Sequence, residues 1–346
     1  MILNAYSVLA AFVAVAELVL GLVAVVLGLR AARGSAANGA THGDDARTPL
    51  LHLTASRLVL LGAASLPLVH LMLRSYVAEW PGIMCVQGVT RVGSVSIGIA
   101  AWLPTLLATL LATKCALLIV SGGWMALHAV DRGTHAAPLV RRVAAWIAIA
   151  GAVAVVDAGT QITYLAIPKR EVRIAVGCCT MATAGPVDTA RPEDADEAAT
   201  ARRRVAWTAA FFGLGTATAL LAAATMRRGL RDVDRAWWAP VAAGGAISTA
   251  VAGAGFLPTS LGPARLRQPL HECGWCLAER APEIWLGVAA LVGASACVVW
   301  AAILSRAAPG DEVRGPRAVV LRRLLGAACL GFSFALVMAA VERWFA

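Results

Sequence analysis

Residues 3–29 read LNAYSVLAAFVAVAELVLGLVAVVLGL, and the first basic residue after them is Arg30. Glu17 is the one charge in this run. An apolar stretch of about 18 or more residues is long enough to cross a bilayer as a helix. The run is too long for a secretory leader and has no basic segment ahead of it, so it reads as a first span with its N-terminus outside. Seven further runs follow, at about 56–77, 95–122, 143–167, 205–226, 238–258, 284–305 and 319–341. The expected fold is an all-α integral membrane protein of about eight transmembrane helices, with residues 1–346 forming one polytopic domain.

The composition agrees. Hydrophobic residues make up 59% of the chain and charged residues only 14%, against about 25% charged in soluble domains. Mean hydropathy is +0.73. Most of the surface therefore has to face lipid rather than water. The net charge of +10 does not point to nucleic acid, because the arginines sit in short loops beside apolar spans. Cytoplasmic flanks of membrane helices carry that bias.

The loops after odd-numbered spans hold Arg30, Arg33 and Arg47, then Arg132, Arg141 and Arg142, then Arg227, Arg228, Arg231 and Arg235, then Arg306, Arg314 and Arg317. The short opposite loops hold Arg91, Arg265, Arg267 and Arg280, and the loop at about 168–204 is the exception, carrying Lys169, Arg170, Arg173, Arg191 and Arg202 to Arg204 among many acids. This orients both termini outside, in what reads as a bacterial cytoplasmic membrane. Residues 31–54 read as a flexible cytoplasmic loop. Residues 168–204 read as an outer loop, Cys-bearing at first, then acidic and tether-like over 185–204. Long loops translocate largely regardless of their charge.

Eight cysteines divide into two groups. Cys115, Cys297 and Cys329 fall inside spans and read as small apolar packing residues. Cys85, Cys178, Cys179, Cys273 and Cys276 fall in loops, all on the side assigned as outer. In a bacterium that side is oxidising, and disulfides persist there. Cys273 and Cys276 form the C-x-x-C of HECGWCLAER, just before the seventh span. The partial positive charge of a helix start favours thiolate there, and exchange runs through mixed disulfides. His271 and Arg280 add positive charge.

Three readings stand. The outer cysteines form structural disulfides, or they exchange, or they hold a thiophilic metal through Cys273, Cys276, His271 and Cys85. Covalent haem is disfavoured because Leu277 stands where the attachment motif needs His. Cys85 precedes the third span and Cys276 the seventh, so each opens the third helix of a four-helix half. That placement suggests a tandem of two four-helix halves, as in parallel transporter repeats.

The trio MCVQGVTRVG, GCCT and HECGWCL resembles motifs in a set of bacterial multi-pass membrane proteins of unknown function. The resemblance covers three short segments. It implies a polytopic helical fold and brings no activity with it. The logic, though not the sequence, is similar to that of vitamin K epoxide reductase and quinone-coupled disulfide-generating enzymes. Those are four-helix bundles with a C-x-x-C at a helix mouth and a second Cys pair in an outer loop.

Four polar groups lie within the spans: Glu17, Lys114, Asp157 and Gln161. Ionisable groups at that depth are costly and are functional candidates. Glu17 and Lys114 sit at similar depth, within roughly 5 Å by helical rise, and read as an ion pair or part of a proton or quinone path. Asp157 and Gln161, four apart, share a helix face. No phosphate loop, H-E-x-x-H or G-x-S-x-G motif is present, so nucleotide hydrolysis, metalloproteolysis and serine hydrolysis have no support.

The leading expectation is a thiol–disulfide redox protein of the outer face. Cys273 and Cys276 would exchange, Cys273 being the exposed nucleophile and Cys276 the buried resolving thiol. Cys85, Cys178 and Cys179 would be relay thiols. A quinone or thiophilic metal is the expected cofactor, and the bilayer, a thioredoxin-like protein or other membrane subunits are the expected partners. The competing expectation is a non-catalytic subunit of a larger membrane complex.

Overall fold

A computed structural model describes residues 4–37, 47–80, 83, 85–90, 92–93, 96, 98–134, 137–168, 193–227, 238–267, 273–307 and 313–345. Among these residues there is no strand. The long helices are α1 (Ala5–Ala37), α2 (Arg47–Val77), α4 (Leu103–Thr134), α5 (Ala137–Ala166), α6 (Glu193–Arg227), α7 (Trp238–Phe256), α10 (Ile284–Ala307) and α11 (Arg314–Trp344). The short ones are α3 (Val86–Thr90), α8 (Gly262–Leu266) and α9 (Gly274–Arg280). Among the described residues, eight helical segments are long and apolar enough to cross a membrane. The chain is an all-α multi-pass membrane protein.

Three helices run beyond the apolar stretches that announced them. Helix α1 continues to Ala37 and α2 begins at Arg47, leaving only residues 38–46 of the expected loop at 31–54 between them. Helix α6 begins at Glu193, so 193–204 of the expected tether is helical. Its opening sequence EDADEAATA is acidic and then Ala-rich. Acidic residues suit the positive end of a helix, and Ala is the best helix former.

The chain divides into two compact units with four spans each. Unit 1 is Met1–Val176 with Gly310–Pro316, and unit 2 is Gly177–Pro309 with Arg317–Ala346. In unit 1 the most extensive packing joins α1 to α5, through small residues. A side chain on Gly21 would place its first carbon 2.9 Å from the Gly151 carbonyl oxygen, and one on Gly151 would come within 2.6 Å of the Gly21 carbonyl oxygen. Both backbones need glycine to approach so closely, the way small residues bring helices together in lipid. The polarity of α1 is inverted relative to a soluble helix. Ala10, Ala14, Ala24 and Glu17 are buried, while Phe12, Val19 and Leu22 face outward.

Unit 2 packs α7 between α6 and α10. Helix α11 meets α10 where Gly331 lies against Ala290 and Ala294. A π turn at Leu257–Leu261 follows α7 and leads into α8. It is fastened to α6 by Thr208, whose hydroxyl lies 3.1 Å from that of Ser260. At the same end Arg265 pairs at 2.8 Å with both Glu283 and Glu342, tying α8 to the residue before α10 and to the end of α11.

Candidate functional sites

The C-x-x-C motif sits on its own short helix. Cys273 is the N-cap of α9 in extended conformation (φ −116°, ψ 107°), and its sulfur accepts the Cys276 N–H at 3.4 Å. The two sulfurs lie within 4.8 Å of each other. Helix α9 has seven residues and ends before α10 starts at Ile284. The sequence expectation put the motif at the mouth of a transmembrane helix. In the structure Cys273 instead caps its own short helix through a local N–H···S bond, and a helix this short has little macrodipole.

The expected exposures are reversed. Cys273 is 2% exposed, whereas Cys276 is half-buried. The reason is helical periodicity. Cys273, Leu277 and Ala281 recur every four residues and are all buried, so they form the inner face of α9. That face packs against the π turn and α8. Cys276 stands one position off this face. Its chain neighbour Trp275 lies with its ring centre 6.3 Å from that of Trp285.

Cys85 belongs to unit 1, directly before α3. It is buried, and its carbonyl accepts the N–H groups of Gly88 (3.0 Å) and Val89 (3.4 Å). Cys178, Cys179 and His271 lie outside the described residues. No disulfide links the described cysteines. Of the span cysteines, Cys115 is exposed on its helix surface and does not pack inside. Cys329 donates weakly to the Ala219 carbonyl at 3.6 Å.

The intramembrane polar residues of unit 1 converge. Lys114 Nζ lies 2.7 Å from Asp157 Oδ2 and 3.8 Å from Glu17 Oε2, with all three side chains fully buried. Lys114 also donates to Ser65 Oγ at 3.0 Å, and Thr113 donates to Asp157 Oδ1 at 2.6 Å. Helices α1, α2, α4 and α5 each contribute a group. The expected pairing of Lys114 with Glu17 is thus the longer contact, and Asp157 is the hydrogen-bonded partner. Gln161, four residues on from Asp157, donates its amide across to the Ala10 carbonyl of α1 at 2.8 Å. Ser65 and Thr113 escaped the sequence reading, since hydroxyl residues in spans usually bond their own helix.

Unit 2 holds a small apolar pocket, lined by Phe211, Phe256, Val288, Leu291 and Met338 together with Glu342. Phe211 and Phe256 stack with centres 4.9 Å apart. The pocket shares Leu257, Leu261 and Ile284 with the end of the unit where α9 sits.

No protein-family model, no curated protein and no solved structure matches this chain. What the fold and sites define is a class: a multi-pass helical membrane protein with a close cysteine pair and a buried charge cluster.

Proposed function

We propose that the protein is a membrane thiol–disulfide redox protein in which Cys276 attacks and Cys273 resolves. The observation that carries this is the close pair itself, a half-buried thiol within 4.8 Å of a buried one whose sulfur already accepts an N–H bond. Exchange needs one accessible sulfur and one protected sulfur that expels the bound partner. A purely structural pair has no need of that asymmetry. Cys85, Cys178 and Cys179 are the proposed relay thiols, on the strength of their placement in loops of one predicted side.

The proposed electron acceptor is a quinone-class molecule drawn from the bilayer. Two thiols and one quinone then give one disulfide and one quinol, so electrons and protons balance. In unit 1, Lys114 can neutralise only one of two buried carboxylates. Asp157 holds the shorter contact, so Glu17 is the proposed proton carrier, because an uncompensated buried charge is costly.

The test is a trap. In the Cys273→Ser variant, an adduct to a partner protein or thiol reagent should accumulate on Cys276, while Cys276→Ser should trap nothing. Equal loss of stability in both variants with no adduct in either would leave only a structural role.

A further inference from the structure

We propose that unit 1 binds a first-row divalent metal of the zinc type through His52, His128 and Asp131. One donor atom from each of the three residues lies within 4.8 Å of the others. His128 and Asp131 are three apart near the end of α4, so they project from one face of the helix. His52 reaches them from the first turns of α2. The site therefore spans two helices at the end of unit 1 opposite Asn4, which itself bonds Ser75 at the far end of α2.

The donor set selects the class of metal. Two imidazoles and a carboxylate suit zinc and its first-row neighbours, whereas calcium and magnesium call for oxygen donors throughout. Three protein ligands leave a fourth position open, the arrangement of sites that bind water or an exchangeable ligand rather than closed structural sites. Helix-borne pairs three residues apart, completed from a facing helix, are how helical bundles build such centres.

Two further observations point to a ligand. His128 Nδ1 is buried and has no hydrogen-bond partner among the described residues, which is costly for a ring nitrogen unless something else takes its lone pair or proton. Trp124, one turn before His128, stacks on its ring with centres 5.4 Å apart at 8° and lies 6.3 Å from the His52 ring. The His52 and His128 rings are themselves 4.2 Å apart. The indole covers the two imidazoles, limits their rotation and shields the site from water, much as outer groups orient metal-binding histidines. Asp131 is 4% exposed although it lies close to the end of its helix.

The site is independent of the cysteines, and the experiment keeps it so. The purified full chain with Cys85, Cys178, Cys179, Cys273 and Cys276 all changed to Ser is stripped with chelator and titrated with cobalt and with zinc. One ion per chain is expected. The cobalt spectrum should show ligand-field bands without a thiolate charge-transfer band. His128→Gln and His52→Gln in that background should each weaken binding at least tenfold. Zinc should raise the melting temperature of the parent but not of these variants, while the metal-free melting temperatures of all three stay alike. Absence of binding in the thiol-free parent, or binding unchanged by both histidine variants, would overturn the proposal. Metal that binds only when the cysteines are present would assign it to the thiols instead.

Discussion

Changing Lys114 to Met removes the one cation from a cluster in which the side chains of Lys114, Asp157 and Glu17 are fully buried. Breaking one partner of a buried pair costs about 3–5 kcal/mol, because the other charge is left uncompensated. The geometry ranks the two carboxylates. At equal dielectric, attraction scales inversely with distance, so the contacts at 2.7 Å and 3.8 Å differ by a factor of about 1.4. Only the shorter one is also a hydrogen bond, and a bond to a charged group contributes about 1.5–3 kcal/mol more. Lys114 should therefore couple more strongly to Asp157 than to Glu17. The assay is reversible unfolding in mixed detergent, with double-mutant cycles. Lys114→Met/Asp157→Asn should recover much of the loss of the single variant, with a coupling of about 1–3 kcal/mol. Lys114→Met/Glu17→Gln should recover less. Equal coupling in the two cycles, or a Lys114→Met variant as stable as wild type, would refute the reasoning.

Other outcomes are expected from the same structure. Infrared spectroscopy should show a protonated carboxyl stretch that disappears in Glu17→Gln; its persistence would assign the proton elsewhere. Gly151→Ala should cost about 1–3 kcal/mol by overpacking α1 against α5, since the added carbon comes 2.6 Å from the Gly21 oxygen. Gly159→Ala on the same helix has nothing within 4 Å of the added carbon and should stabilise by up to about 1 kcal/mol; equal effects at the two positions would contradict the close α1–α5 seam. On intact cells, a membrane-impermeant maleimide should label Cys276 after reduction, in keeping with the arginine bias. Labelling only after permeabilisation would reverse the orientation.

The spans were legible because length and apolarity leave a backbone in lipid little choice but helix. Their ends were less so. The extension of α6 back to Glu193 is carried by capping charge and Ala content, which a search for apolar runs does not weigh. Depth along the bilayer brought Lys114, Glu17 and Asp157 into view, since rise per residue is fixed. Which carboxylate Lys114 meets depends on how four helices are rotated about their axes, and one sequence does not encode that simply. The exposure of the C-x-x-C could have been read. Cys273, Leu277 and Ala281 are spaced for one buried helical face, but nothing in the apolar run that follows separates a short helix of its own from the long span. His128 and Asp131 were visible as a pair three apart, whereas His52 joins them only through the packing of α2 on α4.

The most direct test of the redox reading is the reduction potential of the Cys273–Cys276 pair. The purified protein is equilibrated across dithiol and glutathione buffers, and its thiols are counted by mass tagging. A pair that exchanges should titrate at a potential less negative than about −300 mV, the range of structural bridges. A pair that stays oxidised below that value, or one that forms no disulfide in any buffer, would contradict it.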